Sequence, residues 1–467
     1  MSTLFSPRVV RGFLKRVHDT GDGGTAAEVG ATFEAITRRW SEVGLRPGDL
    51  VILALPNGLG LLNQFFGALG AGLVPALISP STPTARIREV TEQMGARAVV
   101  ANRAAVGPLG AVGLDAVGGA VAALLPATAE PPTAPGEVVL LTSGTSGFSS
   151  GCVFALESLF LNAARHAESI GQGASDIVLV NLPLHFSFAL VAQALATLVT
   201  GGRLVVSGPP FHVPTYRKDL EEHGVTISSI TPVLVRTVLD QGVSFPETLR
   251  VLTVGGDALA PEHVARLLRA RPGRKLYLTY GLTQAGPRVS TLAAHDALER
   301  RYASVGLPLD GTVVALKEIP DGSGDRQLLV RSQTIMKSRI GLVEGRPDGL
   351  RDSGWLATGD VFERDEDGYL FFRRRMSDYI VRGGEKVCLT SIRRLATLLP
   401  RVAGARTRIV PRPDGNSDFE LMLTVVGDPG QPAPDYRGLL ARSLRPSEMP
   451  RKLEIISADA GSTVSYK

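Results

Sequence analysis

The chain has 467 residues, 44% of them hydrophobic and 20% charged, which is too long for one comfortable core and points to a globular protein of two or more domains. Its 50 basic and 45 acidic residues leave a net charge of +5, but the longest basic run is Arg373-Arg374-Arg375, which argues against nucleic-acid binding. Only Cys152 and Cys388 occur and the seven histidines are scattered, so neither a disulfide framework nor a protein-built metal site is expected.

No charged-then-apolar leader opens the chain, and no run reaches the roughly 18 apolar residues of a spanning helix. A cytoplasmic protein with no membrane span is the expectation. Apolar runs at residues 50–55, 98–101, 137–141, 177–180, 203–206, 227–230, 251–254 and 275–278 alternate with helix-length segments such as 61–71. That rhythm predicts parallel sheets covered by helices on both faces. Residues 121–136, rich in Ala and Pro, read as a connection. Past about residue 300, short strands at 312–316 and 327–330, with turns at 321–324 and 365–368, predict an antiparallel β-rich region. An α+β pattern after Asp378 suggests a small second domain.

Five segments bear candidate chemistry. The strand at 137–141 runs into Thr142-Ser143-Gly144-Thr145-Ser146-Gly147-Phe148-Ser149-Ser150-Gly151, where glycines admit close approach and N–H and hydroxyl groups converge as they do around phosphate. A plain surface turn is the competing reading. The lysine of a nucleoside-triphosphatase loop is absent. Leu182-Pro183-Leu184-His185-Phe186 places a histidine among aromatic neighbours, either a pocket wall or a catalyst. Tyr280-Gly281-Leu282-Thr283-Gln284 follows a strand end, where open α/β sheets bind ligands. Thr358-Gly359-Asp360 offers a carboxylate or an Asx turn, and Arg375-Met376-Ser377-Asp378 with Arg382-Gly383-Gly384-Glu385 offers a charged bend or an exposed hairpin.

In this order and spacing the segments resemble the adenylate-forming superfamily, which includes acyl-CoA synthetases, luciferases and the adenylation domains of peptide synthetases. The resemblance implies a large N-terminal domain of parallel-rich sheets, helices and a β-rich subdomain over residues 1–377. A small mobile α+β lid over residues 378–467 would turn on a hinge at Asp378. It implies a phosphate loop at Thr142, Ser143, Gly144, Thr145, Ser146, Gly147 and Ser150, and an adenine-side motif at Tyr280 and Gly281 with Thr283 and Gln284 as catalytic groups. Gly256 and Asp257 would line the acyl and adenine pockets, with His185 at the acyl pocket. Asp360 would bind ribose, with Arg375 following it, and Gly383 and Gly384 would lie near the thiol tunnel. Lys467 would be the catalytic lysine.

The implied reaction has two steps. A carboxylate attacks the α-phosphate of Mg-ATP to give an acyl-adenylate, and a thiol, from coenzyme A or a carrier's phosphopantetheine, then displaces AMP. The sequence departs from the family pattern on the ATP side. Ser150 stands in the place of the loop lysine, Gln284 in that of a Mg²⁺-linked glutamate, and Lys467 ends the sequence beside Tyr466. No acidic residue between positions 225 and 235 is available to hold an amino-acid ammonium, which favours the acyl-CoA synthetase branch. The leading expectation is therefore an acyl- or aryl-CoA ligase strongest in the thioester-forming half, fed with acyl-adenylate by a separate adenylating enzyme. A complete ATP- and Mg²⁺-dependent ligase, transfer to a carrier protein, and a non-catalytic adenylate-binding scaffold are the alternatives.

Overall fold

Continuous apolar runs build two eight-stranded sheets. The computed structural model describes residues 5–21, 26–101, 109, 113–117, 120–126, 131–142, 150–242, 244–319, 324–341, 350, 353–376, 379–382, 385–412, 417–426 and 434–458. One sheet runs Val17–Asp19, Arg203–Val206, Ile177–Val180, Ile227–Ile230, Val251–Gly255, Lys275–Gly281, Arg288–Ala293, Leu307–Pro308. Its first six strands are parallel and its last two antiparallel. The other runs Ser338–Ile340, Ser150–Ala155, Glu137–Thr142, Val74–Leu77, Leu50–Leu53, Ala98–Ala101, Ala120–Leu124, Gly113–Val117, and only its four central strands are parallel. Strands such as Leu50–Leu53 and Ile227–Ile230 are buried at every position, as strands covered on both faces must be.

The first sheet is parallel-rich as expected, with antiparallel strands at one edge, and the second has antiparallel strands at both edges of its parallel centre. One expectation is corrected. The segment read as a connection at 121–136 contains the strand Ala120–Leu124, which pairs antiparallel with Ala98–Ala101. Alanine is a weak strand former, but Ala122 and Ala123 are fully buried, and this burial outweighs local propensity.

The largest core cluster draws on both sheets, joining Val138, Leu140 and Phe154 to Val178, Val180 and Val251. The helix Leu59–Gly70 is buried nearly all round, and a Cβ on Gly67 would lie 2.3 Å from Ile36 Cγ2 of the helix Ala26–Glu42. The absent side chain therefore sets how closely the two helices pack. The expected β-rich region is a four-stranded antiparallel sheet, Thr312–Glu318, Arg326–Ser332, Leu356–Arg364, Leu370–Arg375. The turn at 365–368 is fastened by Asp365, which accepts N–H bonds from Asp367 (3.1 Å) and Tyr369 (2.8 Å). Most of the turn expected at 321–324 lies outside the described residues.

Farther along the chain, the hairpin Tyr379–Arg382 and Glu385–Cys388, the helices Leu389–Thr397 and Tyr436–Ala441, and the sheet Val402–Pro411, Ser417–Val426, Lys452–Ala458 surround a separate core. Its members include Ile380, Val387, Phe419, Leu423 and Tyr436. Among the described residues, no helix is long and apolar enough to cross a membrane.

Candidate active site

The sheets present their strand ends to one cavity of about 770 Å³, within the usual range for small-molecule sites. Of the expected site residues, Thr142, His185, Gly256, Asp257 and Gly281 line it. Thr283, Gln284 and Arg375 do so as well. Asn57 holds the loop carrying His185 in place. Its amide donates to Leu182 O (2.9 Å) and its oxygen accepts the Leu184 N–H (2.8 Å). Gly281 sits at a bulge beside the Arg288 strand, and a Cβ there would lie 2.0 Å from Pro287 O, so no other residue fits. Thr283 Oγ1 lies 3.1 Å from Ser187 Oγ.

Tyr280 and Asp360 are not themselves on the wall, which their neighbours Gly281, Thr358 and Gly359 form. They hold one another. The Tyr280 hydroxyl donates to Asp360 Oδ2 at 2.7 Å, and Arg375 reaches both carboxylate oxygens, Nε to Oδ1 at 2.5 Å and Nη2 to Oδ2 at 3.2 Å. Burial, and then the Asp360 charge, push the Tyr280 phenol well above its ordinary range, so it stays a donor. The result is a rigid charged pair under the glycine turn.

Ser150 is placed otherwise than expected. It is 2% exposed, sits opposite Thr142 in the ladder, and lies 3.1 Å from the Thr142 hydroxyl. It meets the cavity through a residue that the sequence analysis did not name. Arg339, on Ser338–Ile340, donates from Nη2 to Ser150 Oγ and to Thr142 Oγ1 (3.3 Å), and itself lines the cavity. Its Nε is buried without a partner among the described residues. Cys152, opposite Arg339, is pushed up to about 12 by burial and stays a thiol.

His185 is pushed down to about 3, first by burial and then by Arg445, so its ring is neutral at physiological pH. Arg445 belongs to a knot of charges from distant parts of the chain. Arg86 Nη1 donates to Glu448 Oε2 (2.6 Å), Arg445 Nη2 donates to Glu448 Oε1 (2.9 Å), and Arg445 Nη1 lies 3.3 Å from Glu385 Oε2. Arg86, Arg445 and Val381 all reach the cavity wall. Arg288 is a further wall residue that the sequence analysis missed, and its only early sign was an arginine four residues after the Tyr280–Gln284 motif. Ser143, Gly144, Thr145, Ser146, Gly147, Asp378, Gly383, Gly384 and Lys467 lie outside the described residues.

Gln284 presents an amide to the cavity, and among the described residues no group of three His, Cys, Asp or Glu side chains is placed to hold a metal ion.

Comparison with known proteins agrees with this geometry. The sulfoacetate–CoA ligase of Cupriavidus necator is 29% identical over 418 residues, covering 85% of this chain and 81% of its own. The salicylyl-CoA synthase / salicylate adenylyltransferase of a Streptomyces species is 29% identical over 443 residues, covering 85% and 78%. The o-succinylbenzoate CoA synthetase of Bacillus subtilis, solved with a product analogue, shares the fold at a TM-score of 0.80 and 18% identity, covering 98% of this chain and 95% of its own. Residues 15–338 match the family of AMP-binding enzymes over well more than half of the chain. The chain therefore belongs to the AMP-binding enzymes of the adenylate-forming superfamily, in which the relatives it matches are CoA ligases.

Proposed function

We propose that this enzyme joins a carboxylic acid to a thiol, CoA or a carrier's phosphopantetheine, through an acyl-adenylate, and that thioester formation is its stronger half-reaction. The observation that carries the reading is the single cavity spanning Thr142, Gln284, Arg375, His185 and Arg445. One space holds the adenine-side motif, an acyl wall and groups from the C-terminal core. AMP sits against Gly281, Thr358 and Gly359, with the Asp360–Arg375–Tyr280 trio fixing that wall. The thiol gives up its proton to solvent, and its sulfur forms a bond to the acyl carbon as the bond from that carbon to the AMP phosphate oxygen breaks, so positioning is the main demand. The adenylation half needs charge neutralisation, and there Gln284 and Ser150 carry none. The adenylate then comes from a separate adenylating enzyme. The relatives' names carry different acids, sulfoacetate and salicylate, so kinship does not choose the acid.

One observation favours a second reading, a complete ATP-dependent ligase. Arg339 brings a guanidinium to Ser150, where the family pattern has a lysine. The test uses two assays, pyrophosphate release from ATP with an acid panel, and thioester formation from synthetic acyl-adenylates and CoA. The first reading expects turnover only in the second assay. Robust pyrophosphate release that falls at least tenfold in Arg339→Met, with thioester formation unchanged, establishes the second reading instead. An enzyme that turns over nothing yet binds AMP tightly is a scaffold, and defeats both.

A further inference from the structure

Arg288 opens the strand Arg288–Ala293 and is 3% exposed. Asn162 clamps its backbone on both sides, accepting the Arg288 N–H at 3.0 Å and donating to its carbonyl at 2.9 Å. The guanidinium carbon lies 3.7 Å from the centre of the Phe188 ring. Nη1 is 3.1 Å from where a Cβ on Gly255 would be, so that glycine leaves the head group its space. The backbone is thus clamped and the head group seated against an aromatic face.

Among the described residues no carboxylate pairs with Arg288, and its Nε and Nη2 are buried with no hydrogen-bond partner. Three other arginines of the cavity wall do have carboxylate partners: Arg86 and Arg445 share Glu448, and Arg375 has Asp360. A buried guanidinium without a counter-charge is unfavourable, and burial alone draws Arg288 down to about 9. Even so it stays protonated at neutral pH. His166, also fully buried with both ring nitrogens unpartnered, is held neutral by burial and by Arg288, so it supplies no compensating charge.

The missing partner enters through the cavity, because Arg288 lines it. Phe188 and Pro287 beside it are apolar, Asp257 lines the cavity without pairing with Arg288, and Thr142 and Arg339, bonded to one another, form a hydroxyl-bearing part of the same lining. A planar fork against an apolar ring suits a carboxylate or sulfonate held bidentately. The geometry points to Arg288 as the specificity residue for a second anionic group on the acid substrate, distinct from the carboxylate that is activated. This inference rests on the ligase reading for the identity of the ligand as an acid, but not for the anion site itself.

The experiment separates the two. Binding is measured without turnover, by calorimetry on the full chain, for pairs matched in length or ring: glutarate against pentanoate, succinate against butanoate, phthalate against benzoate. At least one dianion is expected to bind ten times or more tightly than its partner. Arg288→Met abolishes that preference, while Arg288→Lys, which keeps the charge but loses the fork, retains part of it. AMP affinity stays unchanged in both. Arg288→Met should melt no lower than the wild type, because it removes an uncompensated charge. If it does not fold, the wild-type pairs and Arg288→Lys decide. Equal affinities within every wild-type pair overturn the inference, as does a preference that survives Arg288→Met. Loss of AMP affinity with the acid preference intact assigns Arg288 to the nucleotide phosphate and also overturns it. A confirmed Arg288-dependent preference in a protein that forms no thioester from any acyl-adenylate leaves the anion site standing and defeats the ligase reading.

Discussion

The two ends of the cavity handle buried polar groups in opposite ways. Beneath the glycine turn, Asp360, Arg375 and Tyr280 satisfy one another with bonds of 2.5 to 3.2 Å. At the other end, Arg288 Nε and Nη2, His185 Nε2 and the Thr231 hydroxyl are buried without partners among the described residues, as is His166, which lies near Arg288 but off the wall. The first arrangement is finished before any ligand arrives, and it serves as a rigid floor. The second is incomplete, and its stability is sacrificed to whatever binds. Buried polar groups in folded proteins are paired almost everywhere, so the orphans on the wall residues Arg288, His185 and Thr231 are groups that a ligand in the cavity can satisfy.

The strongest way to break this contrast is to remove the centre of the finished end. In Asp360→Ala the Arg375 guanidinium loses its counter-charge and Tyr280 its acceptor. Removing one partner of a buried pair costs about 3–5 kcal/mol, and the part-exposed Arg375 places the loss at the lower edge, about 3 kcal/mol. The midpoint in urea should fall accordingly, and thioester formation from acyl-adenylate should fall by about two orders of magnitude as the floor loses its shape. A variant with wild-type stability and rate would mean that the trio is ornamental.

Much of the floor was legible in the sequence because glycine turns and strand ends leave local signatures. Tyr280-Gly281 stood out as a turn at a strand end and Thr358-Gly359 as either a site turn or an Asx turn, Gly256 followed only from the resemblance, and the runs at 50–55, 177–180 and 251–254 hold the strands Leu50–Leu53, Ile177–Val180 and Val251–Gly255. What escaped depends on register and distance. Arg339 reaches Ser150 only because Ser338–Ile340 pairs with Ser150–Ala155, a contact across 189 positions. Arg288 matters through the absence of an acid, and no single sequence reveals which charges will lack a partner. The strand Ala120–Leu124 was hidden because its alanines owe their conformation to burial rather than to propensity.

The unfinished end makes its own prediction in acid. His185 is depressed to about 3, and His166 well below its ordinary value, both chiefly by burial. Their unfolded forms take up a proton near pH 6.5 and their folded forms do not. Stability is therefore fully present above pH 6.5 and is lost as pH falls toward the folded values. Each histidine contributes up to about 1.4 kcal/mol per pH unit in that window. Urea unfolding between pH 7 and 5 should show a steep decline, and His166→Leu should flatten it by up to about 2 kcal/mol at pH 5. An unchanged slope in His166→Leu would place the sensitivity elsewhere and blur the contrast between the two ends.

The smallest effect sharpens the finished end. Tyr280→Phe removes one hydrogen bond to a carboxylate that keeps Arg375, a loss of about 1.5 kcal/mol at pH 7. The sign of the pH dependence separates this from a packing loss. The folded Tyr280 phenol is raised well above 10, so its unfolded form ionises first as pH climbs. Wild-type stability from this group is intact below pH 10 and is lost above it. The phenylalanine variant has no such proton to lose, so the two stability curves should converge above pH 10. Parallel curves would mean that the phenol ionises equally in both states, and that the floor holds Tyr280 by shape alone.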